Sequence, residues 1–136
     1  MTARPTQNAL ALFFLAFSVA PGLSYQYVQD RLRPQADESF AALLFGIAPN
    51  LLGALSASTA IFVMLLGLMK SASVAQARNL ALAAATAGLL AWEGLQLVIP
   101  GFTFDPADIA ATAAGGLAFF LAAAIIFPSS GAKASR

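Results

Sequence analysis

The chain has no cysteine and no histidine. Without cysteine there is no disulfide, no thiolate nucleophile and no thiolate metal site. Without histidine the usual general base near neutral pH is gone, and so is the commonest metal ligand. Charge is scarce as well. Only 10% of the 136 residues are charged, where a soluble domain carries about 25%. With 60% apolar residues, the chain cannot dress a water-facing surface of ordinary size. It reads as one integral membrane domain over residues 1–136. The seven basic residues form no patch, which argues against a nucleic-acid partner. Any acid–base chemistry falls to carboxylates, Tyr25, Tyr27 or lysine.

One further absence is local. No positive charge occurs between Arg78 and Lys133, yet Glu93, Asp105 and Asp108 lie there, half of the six acids. Apolar runs flank them on both sides. An ionisable group in hydrocarbon is costly, so such a residue marks a functional site by default.

A spanning helix needs about 20 mostly apolar residues. Four segments qualify: Asn8–Val28, Phe40–Met69, Asn79–Pro100 and Asp108–Phe127. The expected fold is all-α, an integral membrane four-helix bundle. The second segment contains Pro49-Asn50, and proline removes a backbone hydrogen bond. A kink near Pro49 is expected there, or a short entry segment followed by the span. The first segment resembles a signal peptide in Arg4 and in Ser18-Val19-Ala20. Pro21 would follow the cut, however, and the apolar run continues to Val28. A retained helix is expected.

Lysine and arginine in short loops set the orientation. Arg4, Lys70, Arg78, Lys133 and Arg136 fall on one side, and Arg31 and Arg33 on the other. The richer side is cytoplasmic by this rule, with both termini inside. The loop holding Asp105 then faces outward, with the nearby end of the third helix.

Glu93, Gln96 and Pro100 are spaced i, i+3, i+7 and share one helical face. Glu93 should face protein or trapped water. Asp108, Thr112 and Gly115 share a face of the fourth helix. Asp108 is placed as its N-cap, where a carboxylate accepts free N–H groups. Asp105, before Pro106, reads most simply as a turn residue. The short connector makes the third and fourth helices antiparallel neighbours, so Glu93 and Asp108 can share an outward cavity. Asn50 lies at similar depth, and Arg31 or Arg33 is the candidate counter-ion. Trp92 and the phenylalanines read as lipid-facing or packing groups. Ala84, Gly88, Ala111, Gly115 and Gly116 read as close helix contacts.

Glu93-x-x-Gln96, then Pro100-Gly101-Phe-Thr-Phe-Asp105-x-x-Asp108, then Thr112-x-x-Gly115 resembles the signature of VanZ-like membrane proteins. Ala48-Pro49-Asn50 is similar to an element of short members. The likeness covers the last two spans and, loosely, the second. The chain has Phe102 where that family has arginine, and Thr112 where it has asparagine. The resemblance implies a multi-pass protein of the bacterial inner membrane. The family takes its name from resistance to a lipoglycopeptide antibiotic.

The leading expectation is an envelope protein that binds an amphiphile, a lipid headgroup or a lipid-bearing glycopeptide, in an outward acidic pocket. Its ligand-binding candidates are Glu93, Gln96, Asp105, Asp108, Thr112 and Asn50. The alternative is a membrane enzyme acting on an envelope lipid, with the carboxylates as acid and base or holding a divalent cation. Proton or solute transport ranks third, and four short helices would then need an oligomer. No catalytic residue, resident metal or cofactor is assigned.

Overall fold

Four helices follow one another in chain order, and no strand occurs among the described residues. The computed structural model describes residues 4–35, 40–100 and 105–128. Phe102, Asp37, Glu38, Lys133 and Arg136 lie outside them. The helices are α1 (Gln7–Gln35), α2 (Phe40–Leu68), α3 (Val74–Gln96) and α4 (Pro106–Ile126). By length and composition, three are apolar enough to cross a membrane: α1, α2 from Leu43 onward, and α4. Asn79, Thr86, Glu93 and Gln96, set among many alanines, leave α3 less apolar.

Local chemistry sets the helix ends. Thr6 caps α1, its hydroxyl accepting from the Ala9 N–H at 3.2 Å. A full capping box starts α3. The Ser73 hydroxyl accepts from the Gln76 N–H at 3.2 Å, and the Gln76 side chain accepts from the Ser73 N–H at 2.9 Å. The helix therefore begins at Val74 rather than at Asn79. Asp105, and not Asp108, is the N-cap of α4: its carboxylate accepts from the Ala107 N–H at 2.8 Å. Pro106 follows at the first helical position, where its missing N–H costs nothing. The cap thus sits three residues before the expected one. At the end of α2, the Arg4 guanidinium donates to the carbonyls of Met69 at 2.8 Å and Leu66 at 3.4 Å. A cation suits the negative end of a helix.

Two stretches of α1 are π-helical, Leu15–Val19 and Val28–Leu32. In each the hydrogen bond reaches back five residues, from Ala20 to Leu15 and from Arg33 to Val28. Pro21, without an N–H, follows the first. The Ser56 hydroxyl of α2 donates to the Ser18 carbonyl at 2.9 Å. Helix α2 runs unbroken from Phe40 to Leu68, with Pro49 buried inside it. It is the central element and touches each of the other three.

Aromatic packing holds one end together. Phe13 of α1, Phe62 of α2, and Phe119 and Phe127 of the α4 region form an edge-to-face cluster. The ring centroids of Phe13 and Phe127 are 5.1 Å apart, and those of Phe62 and Phe119 5.8 Å. Ala77 and Ala81 of α3 complete this core. It joins the start of α1, the end of α2, the start of α3 and the end of α4, so helices consecutive in the chain run antiparallel, while α2 and α4 pack side by side in parallel.

Small residues set the helix spacing. Gly115 of α4 lies so close to α2 that a Cβ there would run into the Leu51 carbonyl and come within 2.9 Å of the Ala54 Cβ. Gly116 faces α3 more loosely: a Cβ there would come within 2.9 Å of the Leu82 Cδ1, the end of a side chain that can turn aside. Ala84 and Gly88 do not share this role. Both are exposed, and α3 packs through Ala77, Ala81 and Ala85.

Candidate functional site

At the end of the molecule away from the phenylalanine core, a cavity of about 380 Å³ opens between the four helices. Each helix contributes at the matching terminus. Tyr25, Gln29 and Arg33 come from the end of α1, and Gly46, Pro49 and Asn50 from the start of α2. Trp92, Glu93 and Gln96 come from the end of α3, and Asp108 from the first turn of α4.

Glu93 is the most enclosed polar group of this wall, only 3% exposed. Its Oε1 accepts from the Gln96 Nε2 at 3.3 Å, one turn on, as the i, i+3 spacing requires. Its Oε2 is buried and has no hydrogen-bond partner among the described residues. A buried carboxylate oxygen without a donor is costly. Glu93 thus brings an unsatisfied carboxylate oxygen to the cavity wall.

Asp108 is half-buried and faces the same space. Capping is done by Asp105, which leaves the Asp108 carboxylate for the cavity. Asn50, carried in by the turn of α2 after Pro49, also lines it. Of the candidate counter-ions, Arg33 reaches the cavity wall and Arg31 does not. The Arg33 Nη1 donates to Gln29 Oε1 at 3.3 Å.

Two other candidates lie apart. Asp105 is exposed and occupied as the cap. Thr112 is 2% exposed and does not line the cavity; its hydroxyl has no partner among the described residues.

Gln29 is a wall residue the sequence reading did not single out, and Tyr25 and Arg33 were named without being joined to it, although their spacing carried the signal. Tyr25, Gln29 and Arg33 recur every four residues, which places them on one helical face. The Tyr25 ring lies against α2, 3.9 Å from where a Cβ on Gly53 would be. Trp92, read as a packing or lipid-facing group, is part of the wall too.

Chemically the wall offers two carboxylates, one guanidinium, two amides besides the one on Gln29, a phenol and an indole. Among the described residues, no three of His, Cys, Asp and Glu gather around a point that could hold a metal ion. No protein-family model, curated protein or solved structure matches the chain.

Proposed function

We propose that the chain is a VanZ-like protein of the bacterial inner membrane that binds the headgroup of an amphiphile in this cavity. In this reading α3 crosses the membrane with the other three, the four helices form a bundle, and α2 bends at Pro49. Both termini are cytoplasmic and the cavity opens to the outer leaflet. The charge pattern supports this orientation. Among the described residues Arg4, Lys70 and Arg78 belong to the end opposite the cavity, against Arg31 and Arg33 at the cavity end.

The observation that carries the reading is the unpartnered, buried Glu93 oxygen on the wall of a polar cavity. The cavity volume falls within the roughly 300–1,000 Å³ of small-molecule sites. Cells bearing Glu93→Gln or Asp108→Asn should survive a lipoglycopeptide challenge less well than wild type, at equal protein level in the membrane. If both variants protect like wild type, the cavity is not the working part.

Two carboxylates on one cavity also suit the enzymatic alternative, with an envelope lipid as substrate. Lipid turnover by purified protein, abolished by Asp108→Asn, would favour that reading.

A further inference from the structure

The cavity wall is acidic but not uniformly so, and the distribution of its charges bears on what fits. Glu93 and Asp108 stand on α3 and α4, while Arg33 comes from the end of α1. An ionised carboxylate has about four lone-pair positions. Glu93 uses one oxygen on Gln96 and leaves Oε2 buried without a donor among the described residues. A cation that carries its own N–H groups would satisfy that atom; a quaternary ammonium would not.

Arg33 has about five N–H donors in all. One goes to Gln29, and among the described residues no other partner of Arg33 occurs. A planar guanidinium with free donors suits a phosphate. Leu43 and Leu44 precede the lining residue Gly46 at the start of α2, and Leu97 and Val98 follow the lining residue Gln96 just past α3; all four are exposed large hydrophobic groups. At the cavity end of the helices, acyl chains of a ligand have such groups to lie against.

Resting on the headgroup-binding reading, we infer that the cavity takes a zwitterionic phospholipid headgroup with a primary ammonium. The ammonium sits against Glu93 and Asp108, and the phosphate faces Arg33. A phosphoethanolamine lipid has this chemistry. A phosphocholine lipid lacks the N–H donors, and a phosphoglycerol lipid lacks the cation.

The test uses the full chain in nanodiscs holding equal parts of phosphatidylethanolamine, phosphatidylcholine and phosphatidylglycerol. Native mass spectrometry reads the lipid retained by wild type, Glu93→Gln and Arg33→Gln. Wild type should prefer phosphatidylethanolamine by roughly tenfold or more, the usual worth of a charge-assisted contact. Glu93→Gln should level phosphatidylethanolamine with phosphatidylcholine. Arg33→Gln alters an exposed residue, so the fold is kept. It should lower phosphatidylethanolamine retention while leaving it above phosphatidylcholine. Retention blind to the headgroup but lost in Glu93→Gln overturns the zwitterion assignment and leaves the headgroup reading standing. Retention unchanged in Glu93→Gln overturns both. Displacement by free phosphoethanolamine without any lipid preference overturns the lipid as its source.

Discussion

Glu93 shows how far single residues were readable. A glutamate and a glutamine one turn apart inside an apolar run stand out by spacing alone, and their hydrogen bond follows from helix geometry. Asp105 and Asp108 were harder to sort. Both precede or open a helix, and either carboxylate can cap. The choice fell to Pro106, which is well placed as the first helical residue and so puts the cap at Asp105. Glycine contacts are equally local. Gly115→Ala should destabilise by about 1–3 kcal/mol, because the Leu51 carbonyl belongs to the backbone of α2 and cannot step aside. Gly88→Ala meets nothing within 4 Å and, inside α3, should stabilise by about 0.5–1 kcal/mol. Thermal unfolding of the two variants in detergent compares them directly. Similar melting temperatures would mean that α2 and α4 are not in this tight contact.

Helix existence was legible from the apolar runs; helix ends were not. Hydropathy reports where a chain is apolar, while a helix begins where its first N–H groups find acceptors. At α3 those acceptors are Ser73 and Gln76, in a polar turn that hydropathy discards. Ser73→Ala should cost about 1 kcal/mol of stability, read as a lower melting temperature. An unchanged value would mean that the box does not hold the start of α3. Helix α1 carries a second lesson. Its π-helical stretch at Val28–Leu32 lies between Tyr25 and Arg33, both on the cavity wall. Such wide turns occur often at functional sites, and no residue pattern announced this one. The four-residue recurrence of Tyr25, Gln29 and Arg33 was available, but the charged end of α1 read as a loop. Pro49 was visible as an anomaly, and its buried place on the cavity wall required the other helices.

At the scale of the whole molecule the two ends differ in kind. One is a phenylalanine core, and the other a polar cavity. The alternation follows from short connectors and antiparallel helices, which gather the end of α1, the start of α2, the end of α3 and the start of α4. That much was foreseeable for Asn50, Glu93 and Asp108 once the four runs were recognised. The proposed crossing of α3 is open to a direct check, since the chain has no cysteine to remove. Ser71→Cys precedes α3 and Pro100→Cys follows it, and both positions are exposed. In intact cells an impermeant thiol reagent should label Pro100→Cys alone, and Ser71→Cys only after permeabilisation. Labelling of both from outside would show that α3 does not cross. The proposed function puts an amphiphile in the cavity around Glu93. Native mass spectrometry of protein gently extracted from its own membrane tests it most directly. Wild type should carry a lipid-sized adduct that Glu93→Gln loses while remaining folded. The same adduct on both proteins, or on neither, would contradict the account.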